Sequence, residues 1–170
     1  MKLGTSASAD VDTDRWTTSV SWWTAEKPVT SFGIDVCLSG ATAATITSVD
    51  ALKGIGKVEI LEPLVMTSSG LGDAIIYTDS YPPQLAEGST VAPAEGATFT
   101  YQCGSTVPFQ QVLVGFRATS TDGGGWDGVV ISYNVEGQEY ELAVPTRVFM
   151  CGDETEACRE PDASSPSARG

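Results

Sequence analysis

The chain has 170 residues, 41% of them hydrophobic, and sets nine Lys and Arg against 22 Asp and Glu, for a net charge of −13 with no histidine. That charge argues against nucleic acid and anionic membrane surfaces, which draw affinity from neutralised phosphates; the missing histidine removes Ser-His-Asp and Cys-His catalysis and most zinc and copper sites. The length suits one domain with a sizeable core, and no apolar run approaches the roughly 18 residues of a membrane helix.

Residues 1–14 are small, polar and acidic without periodicity and read as a flexible N-terminal arm. No apolar stretch follows Met1 that could act as a signal peptide, so either a targeting segment has been removed, the favoured reading, or the protein is not exported; membrane contact is expected only through a segment absent from this chain. The folded domain is expected over residues 15–151. From Trp16 a period-2 alternation sets Trp16, Thr18, Val20 and Trp22 against Thr17, Ser19, Ser21 and Trp23. One ring of the Trp22-Trp23 pair therefore faces away from the core unless a second layer covers it.

Phe32, Ile34, Val36 and Leu38 form the next strand, with Asp35 and Cys37 on its other face. Thr45 to Val49 reads as a short third strand, Lys53-Gly54-Ile55-Gly56-Lys57 as a turn, and Val58 to Met66 as a longer strand that Pro63 bends or confines to an edge. Between Thr67 and Pro93 the only strand pattern is Ala74 to Thr78, among Ser, Gly, Asp and the Pro82-Pro83 pair. So long a connection is either functional or holds a short helix. Thr98 to Cys103 alternates through Phe99, Tyr101 and Cys103.

The best-specified stretch is Val112 to Cys151, which reads as three consecutive antiparallel strands. Val112, Val114, Phe116 and Ala118 line one face of the first, with Leu113 the single interruption on the polar side. Val129, Ile131, Tyr133 and Val135 line the second, and Tyr140, Leu142 and Val144 oppose Glu139 and Glu141 on the third. Glu136-Gly137 is a two-residue hairpin turn, and Pro145 marks an edge, a bulge or a crossing to another sheet before the chain resumes at Arg147 to Cys151. Residues 152–170 turn acidic and then Ser/Pro/Ala-rich, as a disordered tail does. The whole predicts an all-β fold: an immunoglobulin-like β-sandwich of about seven to nine strands, with a jelly roll as the alternative.

Four cysteines in a Thr/Ser/Gly-rich, Lys-poor β chain fit an oxidising compartment, and none forms a C-x-x-C zinc pair. Counting leaves all three pairings of Cys37, Cys103, Cys151 and Cys158 open. Strand-end positions favour Cys37–Cys103, with Cys151–Cys158 closing a short loop.

Val36-Cys37-Leu38, Cys103, Val114-Gly115-Phe116-Arg117, Gly128-Val129-Val130-Ile131-Ser132-Tyr133, and Leu142-Ala143-Val144-Pro145 running into Cys151 together resemble the pattern of uncharacterised exported or membrane-anchored β-sandwich proteins of actinobacteria. The resemblance spans residues 32–151 and rests on structural motifs. It implies an envelope-facing β domain at an extracellular or cell-surface location, and brings no activity and no functional residues.

With histidine absent, carboxylates are what remains for catalysis. Glu139 and Glu141, at i and i+2 on one strand face, stand about 6.5–7 Å apart at Cα, a spacing at which two carboxylates can divide acid and base roles on a glycoside; on a solvent-facing strand such neighbours are ordinarily just hydrated. Asp122-Gly123-Gly124-Gly125-Trp126-Asp127-Gly128 offers two hard oxygen donors around glycines that could wrap calcium, but its spacing is not an EF-hand's and a plain connection needs glycines too. Trp126 on that loop and the outward ring of the pair, taken as Trp23, could stack on a sugar or anchor a protein. These residues predict a non-catalytic binding or structural module, with no metal and no cofactor, that meets a protein or glycan of the cell envelope through Trp23, Trp126, Asp122 and Asp127. The alternatives are a carbohydrate-binding or carbohydrate-active domain using the tryptophans and the Glu pair, and a subunit of a surface assembly that pairs through an edge strand near Pro145.

Overall fold

The computed structural model describes residues 2–5, 17–20, 29–69, 75, 77–78, 80–105, 108–145 and 147–151. Among them are fifteen strands and no helix: β1 (Lys2–Thr5), β2 (Thr17–Val20), β3 (Val29–Ser39), β4 (Ala44–Ala51), β5 (Gly54–Gly56), β6 (Val58–Ile60), β7 (Leu64–Ser68), β8 (Tyr77–Thr78), β9 (Thr90–Pro93), β10 (Thr98–Phe99), β11 (Phe109–Ala118), β12 (Gly123–Trp126), β13 (Val129–Val135), β14 (Gln138–Val144) and β15 (Arg147–Cys151). A seven-stranded sheet runs β1-β3-β11-β7-β9, with β6 added to β11 and β8 to β3. Two four-stranded sheets run β10-β4-β13-β14 and β2-β15-β12-β5.

Apolar faces from all three sheets meet in one core. Val36, Val112, Val114 and Phe116 come from the first, Ile46, Phe99, Ile131 and Tyr133 from the second, and Trp126, Val148 and Met150 from the third. This is the expected all-β sandwich. The alternation of β13 reads directly as burial, every second residue from Val129 to Val135 being inside. In β4 the register slips opposite Ser132 and Tyr133, which pair with Ser48 and Ile46 and leave Thr47 as the extra residue of a bulge. That bulge moves the buried set from Ala44 and Ile46 to Val49.

The strand count exceeds the seven to nine expected: β1, β5, β9 and β12 are three or four residues long and occupy stretches without an alternating pattern, and the strand expected from Val58 to Met66 is two, β6 and β7. Lys2–Thr5, within the stretch read as a flexible arm, pairs antiparallel with Val36–Ser39; the rest of that arm and the tail from residue 152 lie outside the described residues. Gly54–Gly56, read as a turn, is a strand on β12. The long 67–93 connection holds β8 and β9, and no helix among its described residues.

The proposed run of three consecutive antiparallel strands also needs correction. β13 and β14 do form a hairpin, but β11 pairs with β3, β6 and β7 in the other layer. The glycine run between them is the strand β12, ladder partner of β15. Glycine suits it because a Cβ on Gly125 would sit 1.8 Å from the carbonyl oxygen of Val148, so the neighbouring backbone occupies the space of a side chain. Pro145 stands where the chain leaves the β13–β14 sheet for β15 in the third sheet, as one of its sequence readings required.

Candidate functional site

Central strand β11 shows how thoroughly the middle of the molecule is occupied. Adjacent glutamines at 110 and 111 are buried, and their side chains take opposite faces. Inward, Gln110 Oε1 accepts the N–H groups of Thr100 at 2.6 Å and Tyr101 at 3.0 Å, while its Nε2 donates to Thr67 Oγ1 at 3.3 Å. Outward, Gln111 accepts the N–H of Ile75 at 3.0 Å and donates to the Ile75 carbonyl at 2.9 Å and to Asp35 Oδ1 at 2.6 Å. A buried amide that satisfies two stretches of backbone is worth keeping in an apolar strand, since unpaired backbone groups there would each cost about 1–3 kcal/mol.

The outward contact fastens a strap, described at residues 75, 77–78 and 80–85, that adds β8 to the edge of β3 and lays Ile75 and Tyr81 over the outer face of the sheet. Two glycines make room for it. A Cβ on Gly33 would lie 2.0 Å from the Ile75 carbonyl oxygen, and one on Gly115 would lie 2.4 Å from the ring of Tyr81. Between them Leu113, the residue that interrupts the polar side of its strand, is 0% exposed. Tyr81 donates its hydroxyl to the carbonyl of Glu62, and burial, with the Glu62 charge adding to it, pushes its pKa upward. Asp35 is exposed, but partial desolvation of its carboxyl beside the sheet raises its pKa above 3.8, with the Gln111 hydrogen bond opposing.

The residues singled out from the sequence are not brought together. Trp126 is 1% exposed and packs edge-on against Phe116 with ring centroids 4.4 Å apart, so its ring is core and not a stacking surface. Its Nε1 is buried with no hydrogen-bond partner among the described residues. Asp127 pairs with Lys53 at 3.3 Å and Asp122 with Lys57 at 3.7 Å, both on the partly exposed rim where β12 meets the β4–β6 connections. Each aspartate thus faces its own lysine; among the described residues no cluster of three or more Cys, Asp or Glu could hold a metal ion. Trp23 lies outside the described residues.

The cysteines are better placed. Cys37 and Cys103 form a disulfide with Cα atoms 4.9 Å apart. The backbone arranges it, because Leu38 N–H donates to Tyr101 O at 2.7 Å and Cys103 N–H to Leu38 O at 3.0 Å, laying residues 101–103 alongside the end of β3. Cys151 is also disulfide-bonded. Its expected partner, Cys158, lies outside the described residues.

Glu139 and Glu141 are both exposed, on β14, the last strand of its sheet. Glu136 (φ 53°) and Gly137 (φ 86°) make the left-handed two-residue turn that leads into it, and Asn134 Oδ1 accepts the Gly137 N–H at 2.8 Å. Such a turn makes Val135 and Gln138 a hydrogen-bonded pair, and the alternation then points the N–H and C=O of Tyr140, Leu142 and Val144 at β13. Those of Glu139, Glu141 and Ala143 point away from it. On the inner face Tyr140 stacks on Tyr133 at 5.5 Å and, like Leu142, is only half-buried.

Chemically, then, the described surface offers an open, acidic strand edge and two lysine–aspartate pairs, while Trp126 is spent on the core. What sequence reasoning missed was the Gln110-Gln111 pair and the strap it serves; two amides inside an otherwise apolar ten-residue strand were the available signal. No protein family, curated protein or solved structure was found to match the chain.

Proposed function

We propose that the chain is a non-catalytic binding or structural module that works outside the cytoplasm at a bacterial cell surface, on a sandwich of the immunoglobulin-like kind. The observation that carries the reading is the Cys37–Cys103 bridge, whose sulfurs join β3 to a turn 66 residues further along the sequence and which an oxidising compartment sustains. The resemblance of residues 32–151 to exported or membrane-anchored actinobacterial proteins supports the envelope as the setting. Its partner is a protein or glycan of that envelope, and no cofactor enters the account.

Support for the carbohydrate alternative is thinner. Stacking on sugars calls for an exposed ring, and Trp126 is buried; acid–base work on glycosides calls for carboxylates in sheltered surroundings, and Glu139 and Glu141 are exposed. The test of the main reading is cell fractionation of a native host combined with alkylation and mass spectrometry of the chain. Recovery in the envelope or medium with Cys37 and Cys103 protected from alkylation is expected; a cytoplasmic pool with free thiols would overturn it.

A further inference from the structure

We propose that the open edge of β14 is a strand-addition site for an extended segment of a partner protein in which Lys or Arg alternates with apolar residues. The proposal deepens the binding-module reading by naming the surface and the chemistry of its partner.

Edges are normally blunted by shortness, proline, bulges or lysine. The other sheet-ending strands follow that rule, with β10 two residues long, β5 three, and β1, β2 and β9 four, the last ending in Pro93. β14 runs seven residues without a bulge in its pairing to β13, and its proline comes only after Val144. Among the described residues nothing pairs with its outer side. Glu139, Glu141 and Ala143 therefore present three N–H and three C=O groups in the spacing that an incoming strand uses for main-chain recognition.

The side chains say which strand. On the solvent face Glu139 and Glu141 are exposed, and cations directly opposite them gain from cross-strand pairing. On the inner face Tyr140 and Leu142 are half-buried because the sheet stops there, and apolar residues of an added strand would extend the sheet over them. A second copy of β14 fits poorly, since it would set glutamates beside glutamates on a chain already carrying −13. β1 of the facing sheet comes near β14, but its own ladder runs to β3.

The test uses the full 170-residue chain, isotope-labelled, and a synthetic heptapeptide alternating Lys and Val, with its Glu/Val counterpart as control. Amide exchange should slow at Glu139, Glu141 and Ala143 only with the Lys/Val peptide, and binding should weaken as salt rises. Changing Glu139→Gln and Glu141→Gln together should weaken it about fivefold. Glu141→Pro deletes an outward N–H while sparing the bonds to β13, and should abolish the protection; should that variant lose its β-sheet dichroism, the Gln pair decides. Protection elsewhere on the chain, equal binding of the Glu/Val peptide, or these amides already being protected in the free chain or by its self-association would overturn the proposal. Since purified chain is used, such a failure leaves the compartment reading untouched, and a cytoplasmic location would leave the peptide result standing.

Discussion

β11 and β14 are both long, regular strands, yet one is enclosed on every side and the other is open along its length. β11 is flanked by β3 on one side and by β6 and β7 on the other, with the sandwich core beneath it and the strap above. Among the described residues β14 has a ladder partner on one side only, and it carries a solvent-facing row of acids. Enclosure makes β11 a place where substitution costs stability. Openness makes β14 a place where substitution should change binding and little else.

The enclosed side should respond most to loss of the Cys37–Cys103 bridge. Replacing both sulfurs by Ser hydroxyls releases a 66-residue closure and is expected to lower unfolding free energy by about 4 kcal/mol, read from urea midpoints. Leu113→Ala comes next, at about 3 kcal/mol, because the sheet and the strap cannot both collapse into the space it leaves. If that variant unfolds with a loss of less than about 1 kcal/mol, the strap is not a second core.

A smaller effect is expected at Asp35, and its sign is informative. Its carboxyl pKa is raised in the folded chain, so the native state holds the proton to higher pH than the unfolded state, and this contribution to stability falls as pH rises through and above 3.8. Asp35→Asn keeps an oxygen for Gln111 to donate to and has nothing to ionise. Its stability relative to the parent should therefore rise across that window and stay level above it, by less than about 1 kcal/mol given the group's exposure. A relative fall with pH would mean that the Gln111 bond outweighs desolvation.

Least of all should happen on the open side. Glu139→Gln with Glu141→Gln should shift the unfolding midpoint by no more than about 0.5 kcal/mol, as surface changes do. A larger loss would place those side chains in structural work.

The same contrast explains what could be read from the chain beforehand. Strands buried on one face announce themselves, and Val129 to Val135, Ile34 to Leu38 and the Glu136-Gly137 turn were legible for that reason. Leu113 looked like an exception because the one short pattern in the strap, Ala74 to Thr78, does not say which face of which strand it covers. The Gly123–Trp126 strand was hidden for the opposite reason, since glycines chosen for close backbone packing look like those chosen for a loop. The candidate site divides in the same way. Asp122 and Asp127 were visible as acids, but their partners Lys53 and Lys57 come from a segment some 70 residues earlier that only the sheet brings near. At β14 the residues were noticed for a pair of carboxylates, whereas their importance lies in backbone groups whose direction follows from the hairpin register.

Hydrogen exchange of the unliganded chain, resolved residue by residue along β14, addresses the open edge directly. The amides of Tyr140, Leu142 and Val144, bonded to β13, are expected to exchange slowly, and those of Glu139, Glu141 and Ala143 close to the rate of an unstructured peptide. Uniform protection across all six would mean that the edge is closed and that β14 is no docking strand.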